Sequence, residues 1–325
     1  MRLPDKEDRI HLDATDIMIF CEIAFKGLDY DSFTDRRVSP LAIGRKLRLD
    51  EKTVRARVKK MEDTGFIKYY QAIPSLALFQ LKNMITYRFE ALNIATKHRV
   101  IEHVQKLSFI VEAIDYLGQI ISLSITGSST DGIDQAASEL ANRFELHKRF
   151  LGTGMIKEPV SVADRLDWQI IQKLRYDALS GAKELSKSLS ITPRMAEYRI
   201  KKLLGSDMLL IRAIINSQKQ EGLIFYELEI SVDERKQYEV VKRLKEIYAE
   251  RMWSVRTLAG GVLLANFFAF TLAEPEETYV NTFKIEGVRS CCLFIFKEVV
   301  EPKRPNWMDC LIEQKITLSS KSKLH

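Results

Sequence analysis

The spacing of apolar residues changes along the chain from a helical period to strict alternation. Apolar positions three and four apart predict helices over 13–25, 40–47 and 51–63. The short stretch RLD joins the last two helices, which is the arrangement of a helix-turn-helix, and Asp50 is placed to cap the third helix. After Gly65 the extended stretch FIKYYQAI predicts a β-wing. The remaining pattern then predicts strand, helix, strand, strand, helix and strand in that order.

The same pattern occurs a second time. Residues 196–203 (AEYRIKKL) align with 54–61 (VRARVKKM) at an offset of 142, and LDWQIIQKL aligns with TDIMIFCEI at an offset of 151. The first copy therefore carries about nine additional residues, within GLDYDSFTDRRV. In the second copy Thr192 and Pro193 supply the N-cap and the first residue of the third helix. The chain is one module used twice.

These patterns predict an α+β fold in which two winged helix-turn-helix domains alternate with two ferredoxin-like βαββαβ domains. The expected domain boundaries are 1–75 and 161–215 for the winged helix-turn-helix domains, 76–160 and 216–302 for the ferredoxin-like domains, and 303–325 for a loosely ordered C-terminal tail.

Positive charge is concentrated on and beside the two third helices. Eight basic and two acidic residues lie within 44–60, and six basic and two acidic residues lie within 183–202, whereas the whole chain carries a net charge of +6. On a helical wheel the outward positions include Lys52, Arg55, Lys59 and Lys60 in the first copy and Arg194, Lys201 and Lys202 in the second, all pointing away from the apolar stripe. Because an α-helix fits the major groove and cationic side chains neutralise phosphates, we expect double-stranded DNA as the partner. The predicted DNA-binding residues are Lys52, Thr53, Arg55, Ala56, Arg57, Lys59, Lys60, Arg194, Met195, Tyr198, Arg199, Lys201 and Lys202.

Two segments resemble the DNA-binding part of the Lrp/AsnC (feast/famine) transcription regulators. They are LAIGRKLRLDEKTVRARVKKMEDTGFIKYYQAI and KELSKSLSITPRMAEYRIKKLLGSDMLLIRAII, and the resemblance extends over about 12–300. It implies a transcription regulator whose ferredoxin-like domains serve oligomerisation and effector binding. Members of that family carry one module per chain and dimerise. The two modules here therefore imply an intrachain pseudo-dimer with paired sheets, two unlike DNA half-sites, and further association into a homo-oligomer.

The resemblance also implies a small-molecule effector site at the turn between the second and third strands of each ferredoxin-like domain. Glycines occupy this turn in both copies, at Gly118 and at Gly260 and Gly261. No aspartate follows either turn, so we expect weak or no binding of ordinary amino acids. A tight hairpin that needs a positive φ is the alternative role for these glycines.

Candidate metal ligands do not form a site in the sequence. Asp29, Asp31 and Asp35 imitate three positions of a calcium loop, but the glycine and the glutamate that such a loop requires are replaced by Thr34 and Pro40. His98 and His103 lie five residues apart on one helix, a spacing that does not allow both to chelate one ion. We expect no metal site.

Other chemistry has equally little support in the sequence. Cys291 and Cys292 are neighbours in a strand, where their side chains point to opposite faces, which argues against a redox pair. We find no phosphate loop, nucleophile elbow or HExxH motif, and we expect no cofactor and no enzymatic activity.

The uncharged run 257–273 is shorter than a membrane span and predicts a buried strand pair. The start, MRLPDKEDRIH, has no apolar signal region, and the four cysteines lack CxxC spacing. We therefore expect a cytoplasmic, nucleoid-associated regulator without a membrane partner. Two alternatives stay open: a chromatin protein that binds any duplex, and a tetrapyrrole enzyme of the sirohaem decarboxylase type. Such an enzyme is built on the same plan and would need histidines and arginines that converge between the ferredoxin-like domains.

Overall fold

The computed structural model describes residues 10–24, 39–154, 156, 158–216 and 220–321. In chain order the helices are α1 (Ala14–Ala24), α2 (Pro40–Leu47), α3 (Glu51–Asp63), α4 (Ile94–Val104), α5 (Thr130–Phe144), α6 (Arg165–Leu174), α7 (Ala182–Leu189), α8 (Pro193–Gly205), α9 (Gln237–Ile247), α10 (Ala273–Thr282) and α11 (Trp307–Lys321). The strands are β1 (Ile10–His11), β2 (Ile67–Pro74), β3 (Asn83–Glu90), β4 (Ile110–Tyr116), β5 (Ile120–Gly127), β6 (His147–Gly154), β7 (Leu209–Ile215), β8 (Gln220–Glu221), β9 (Ile224–Val232), β10 (Met252–Leu258), β11 (Val262–Ala269) and β12 (Val288–Val299). Asp29, Asp31 and Asp35 of the calcium-like pattern lie outside the described residues.

The chain divides into two compact units. The first takes its residues from Met1–Gln80, Lys157–Glu221 and Trp307–His325, and it contains both helix-turn-helix segments. The second, Leu81–Ile156 with Gly222–Asn306, contains both βαββαβ segments. The predicted α+β fold class is confirmed.

Local signals position the helices of the first unit. The side chain of Ser39 accepts a hydrogen bond from the backbone N–H of Ala42 and starts α2, and Arg48 ends it in the left-handed conformation with a φ of 57°. Asp50 then caps α3 by accepting from the N–H of Thr53. A Cβ on Gly44 would lie 2.6 Å from the carbonyl oxygen that follows α2, so the tight turn requires glycine at this position.

The predicted β-wing is absent from the described residues and is replaced by a ladder between the two copies. The strand β2 pairs antiparallel with β7, with Tyr70 opposite Ala213 and Ile73 opposite Leu210. Each copy thus contributes one strand, and neither forms a hairpin of its own here. Ala72 and Ile211 lie opposite each other in this ladder and are buried. The pairing satisfies the backbone N–H and C=O groups of both strands.

The expectation of a loosely ordered tail is wrong for 307–321, which form α11 and pack against α6. Asp309 accepts from Arg175 Nε at 3.0 Å and from the Tyr176 hydroxyl at 2.6 Å. Met308 and Ile312 are buried in this contact. Polar residues separate the apolar residues that hold this helix in place. The sequence of the tail therefore resembles that of a loop.

An eight-stranded sheet forms the second unit, in the order β10-β11-β9-β12-β4-β5-β3-β6. Each half has the strand order of a ferredoxin-like fold, with the two halves related by the duplication. The strand β12 is long enough to pair with β9 through Cys291 and Ile230 and with β4 through Phe296 and Tyr116. The sheets of the two copies are therefore joined within one chain.

The segment 257–273 contributes to the antiparallel pair β10 and β11, as predicted, with Thr257 opposite Leu263. None of the described helices has the length and the apolar composition needed to cross a lipid bilayer.

Candidate nucleic-acid interface

The third helix of each copy carries the outward face predicted to contact DNA. Val54 and Met61 of α3, and Ala196, Ile200 and Leu203 of α8, are buried against the rest of the unit. The opposite side is exposed. The exposed members of the predicted set are Lys52, Arg55, Ala56, Lys59, Lys60, Arg194, Met195, Tyr198 and Lys201, whereas Thr53, Arg57, Arg199 and Lys202 are half-buried.

In the first copy two of the predicted DNA-binding cations contact a buried carboxylate. Asp16 at the start of α1 is fully buried, and its two oxygens accept from Arg57 Nη1 at 2.8 Å and from Lys60 Nζ at 3.0 Å. Asp13 accepts from the same guanidinium at 2.8 Å. Asp13 and Asp16 also cap α1 reciprocally through each other's backbone N–H. This cluster therefore attaches α3 to the first turn of α1.

The second copy repeats the cluster residue for residue. Asp167 is fully buried and accepts from Arg199 Nη1 at 3.0 Å and from Lys202 Nζ at 2.7 Å. Asp164 accepts from Arg199 at 2.5 Å, and the two aspartates form a capping box on α6. We call the two sets the anchor clusters: Asp13, Asp16, Arg57 and Lys60 in the first copy, and Asp164, Asp167, Arg199 and Lys202 in the second.

The anchor clusters favour the ionised form of Asp13 and Asp164, their outer aspartates. Burial by itself raises the pKa of Asp13, but the hydrogen bonds from Arg57 and from backbone N–H groups outweigh it and leave the pKa below its ordinary value. The pKa of Asp164 is lowered in the same way, against burial, by the N–H of Asp167 and by Arg199. A DxxD start to the first helix, combined with RxxK in the third, is the sequence signal that identifies this cluster.

Two further cations of the outer faces have partners within their own helix. Arg55 donates to Glu51 at 2.5 Å, and Lys201 donates to Glu197 at 2.8 Å, each four residues apart and exposed. Such pairs are weak in water, so another anion can replace the carboxylate. Lys52, Lys59 and Arg194 form no ion pair with any described residue.

The predicted effector glycines lie in turns and adopt positive φ: 80° at Gly118, 89° at Gly260 and 72° at Gly261. In the first copy the buried ammonium of Lys97 donates to the carbonyl oxygens of Tyr116 and Gly118. The carbonyls of this turn are therefore already bound by a side chain of the chain itself.

Arginines converge on the polar interior between the paired sheets. Arg88 of β3 is buried and donates through Nη2 to Glu227 at 2.8 Å and to Glu229 at 2.9 Å. Its guanidinium carbon lies 4.0 Å from the centre of the Phe294 ring and 4.7 Å from that of Tyr116. Among the described residues, no hydrogen-bond acceptor lies against its Nε or Nη1.

Other groups complete this interior. Arg149 donates to Glu229 at 2.5 Å, and Arg256 donates to Glu112 at 3.0 Å. Burial, followed by the carboxylate of Glu227, raises the pKa of the Tyr116 phenol, which therefore donates its proton to that carboxylate at 3.0 Å.

No described histidine joins this interior. His98 and His147 are exposed, and the His103 ring packs 5.3 Å from the ring of Phe144. Among the described residues no group of three or more histidine, cysteine or acidic side chains is arranged to hold a metal ion. Cys291 is buried and its neighbour Cys292 is exposed, so their side chains do face opposite sides of β12.

No protein-family model matches the chain, and no curated protein matches it in sequence. Two crystal structures of the siroheme decarboxylase NirDL match it over nearly its whole length. One covers 95% of this chain and 99% of that chain at 11% identity and a TM-score of 0.53. The other, in complex with an iron-uroporphyrin III analogue, covers 93% and 99% at 10% identity and a TM-score of 0.54. AsnC of E. coli matches 42% of this chain and 92% of its own at 16% identity and a TM-score of 0.34.

The full-length likeness shows that the two-module fold, helix-turn-helix with ferredoxin-like segments, is shared with known proteins. It also contradicts the expectation that the chain is not an enzyme, because the structures that match its full length are those of an enzyme. At the level of sequence such an enzyme was only an alternative, because the motifs describe the modules, which regulators and enzymes of this plan have in common.

Proposed function

We propose that the protein binds double-stranded DNA through the outer faces of α3 and α8 and regulates transcription. The observation that carries the proposal is the duplicated anchor cluster, which holds both third helices in the same orientation relative to their first helices. This orientation leaves a basic face exposed in each copy. The resemblance of both helix-turn-helix segments to Lrp/AsnC regulators supports the same function.

Within this proposal the anchor clusters change the division of roles among the predicted residues. Lys60 and Lys202 neutralise buried carboxylates, so Lys59 and Lys201 are the better candidates for phosphate contacts. The exposed residues near the centre of each outer face, such as Arg55 and Tyr198, are placed to reach base edges.

Exchanging Lys59 and Lys201 for glutamine should weaken the salt dependence of DNA binding. Each phosphate contact contributes about 0.9 to the slope of log K against log salt concentration, so the slope should fall by up to about two. Fluorescence anisotropy with a labelled duplex, at salt concentrations between roughly 50 and 200 mM, measures this slope.

The matched control exchanges Lys60 and Lys202 for glutamine, which removes the same charge from the same helices. We expect a smaller change of slope and a lower free energy of unfolding, because these lysines are bound to Asp16 and Asp167. Equal slopes for the two double variants would contradict the assigned roles, and failure of the wild-type protein to bind any duplex would contradict the proposal itself. Equal affinity for every duplex would favour the sequence-indifferent chromatin protein.

The Lrp/AsnC resemblance implies a small-molecule effector at the turns of Gly118, Gly260 and Gly261. Lys97 already binds the carbonyls of the first turn. A ligand with an ammonium group would have to displace it there, which agrees with the expectation of weak amino-acid binding.

A second candidate function is decarboxylation of a tetrapyrrole, favoured by the full-length likeness to NirDL. The arginines between the paired sheets have the charge to bind a substrate carboxylate, but each is paired with a glutamate, and no described histidine is beside them. If this function is correct, adding an iron tetrapyrrole should produce a saturable Soret shift that is reduced in an Arg149→Met variant. A spectrum equal to that of the free tetrapyrrole would exclude it.

A further inference from the structure

The anchor clusters allow the outer faces of α3 and α8 to be compared position by position. Arg57 and Arg199 are equivalent at the offset of 142, as are Lys60 and Lys202, and each pair makes the same bonds to a buried aspartate. The rotation of each helix about its own axis is therefore the same relative to its first helix. Residues that share an offset of 142 consequently occupy the same place on the exposed face.

The ends of this face are alike in the two copies. Lys52 corresponds to Arg194, and Lys59 corresponds to Lys201, all of them exposed cations. Cations at both ends suit phosphates on either side of the groove, which every DNA sequence presents. The shared positions therefore supply affinity without selecting a sequence.

The centre of the face differs in charge. Arg55 of α3 corresponds to Glu197 of α8, and both side chains are exposed. The hydrogen bond from Lys201 lowers the pKa of Glu197, which is therefore an ionised acceptor at neutral pH. An arginine donates to O6 and N7 of guanine, whereas a glutamate accepts from N4 of cytosine.

The centre also differs in size and polarity. Ala56 of α3 corresponds to Tyr198 of α8, which is 63% exposed, and Thr53 corresponds to Met195, which is 43% exposed. Large apolar side chains on a surface helix lose water when they contact the methyl group of thymine. On α8 they flank the glutamate, and on α3 short side chains flank the arginine.

We infer that α3 and α8 read half-sites that differ at the central base pair, with guanine opposite Arg55, cytosine opposite Glu197, and thymine next to that cytosine. This inference rests on the proposed DNA binding. If both helices carried arginine at this position, a pseudo-twofold protein would read a palindrome with guanine at both symmetry-related positions. The charge reversal breaks that symmetry at one defined base pair, and Tyr198 and Met195 break it at the neighbouring one.

Selection of duplexes from a random library by the full chain, followed by sequencing, tests the inference. The wild-type protein should enrich a site with unlike halves, and Glu197→Arg should make the central base pair of the two halves symmetric. In a binding assay, this variant should favour the symmetric site over the wild-type site by about ten-fold or more. Glu139→Arg makes the same charge change on the exposed surface of α5 and should leave the selected site unchanged.

The outcomes separate the inference from the proposed function. No enrichment and no retained DNA with the wild-type protein would overturn DNA binding itself. Retained DNA without a sequence preference, or with a perfect palindrome, would overturn the inference and leave DNA binding standing. An asymmetric site that Glu197→Arg does not change would remove the assignment of cytosine to Glu197.

Discussion

Replacing Arg88 by methionine should lower the free energy of unfolding of the second unit by about 3–5 kcal/mol. Glu227 and Glu229 are buried between the paired sheets, and Arg88 is the buried cation that contacts both of them. Methionine has a similar length and keeps the packing against Phe294 and Tyr116, so the change isolates the lost charge. Amide hydrogen exchange of β3 and β9 in urea measures the effect in this unit alone.

Two variants test this explanation. Arg149→Met removes a half-exposed arginine that contacts the same Glu229, and it should lower the free energy of unfolding by at most about 1 kcal/mol. Combining Arg88→Met with Glu227→Gln and Glu229→Gln removes the unpaired charges and should recover much of the lost stability. If the triple variant is as unstable as Arg88→Met, the effect arises from packing and the electrostatic explanation is wrong.

Replacing Asp16 or Asp167 by alanine should lower the free energy of unfolding of the first unit by about 2–3 kcal/mol in each case. Each aspartate is fully buried, caps its helix and binds two cations of the third helix. We expect less than for Arg88 because the released cations are partly exposed and can turn towards water. Urea denaturation with hydrogen exchange of α3 and α8 measures the loss.

The duplication supplies an internal control for this second prediction. The two variants should destabilise the unit by similar amounts, because the two anchor clusters make the same bonds. Glu51→Ala removes an exposed acceptor from Arg55 four residues away and should change stability by about 0.5 kcal/mol or less. An effect of Asp16→Ala as small as that of Glu51→Ala would show that the cluster does not hold the helix.

Patterns close in the chain were predicted well. The period of 3.6 located α3 and α8, and Asp50 and Thr192 cap them as expected, because a cap and its N–H group lie three residues apart. The order of strands and helices within each βαββαβ segment was also correct. Alternation of apolar residues over six to eight positions is a strong signal.

The family resemblance implied that the two sheets pair, but the individual partners that lie far apart in the chain were not predicted. The helical wheel assigned Lys60 to the outer face, and Arg57 was included among the predicted DNA-binding residues. A wheel describes one helix and contains no information on Asp16, which is 41 residues from Arg57 and 44 from Lys60. The strand after α3 was assigned to a wing for the same reason, because alternation shows that a strand needs a partner without showing which one. Its partner is β7 of the other copy.

The amino-acid sequence by itself determined the duplication, the secondary structure of each module and the positions of cationic residues, since these depend on neighbours within a few residues. Only the tertiary structure decided which cations are bound to buried aspartates and which strands join the two copies. It also decided that arginines and glutamates neutralise one another between the paired sheets. Each of these is a choice among many partners of the same charge or polarity. Burial selects one partner, because an unpaired charge or N–H group away from water costs several kcal/mol. That cost is on the order of a large part of a domain's stability.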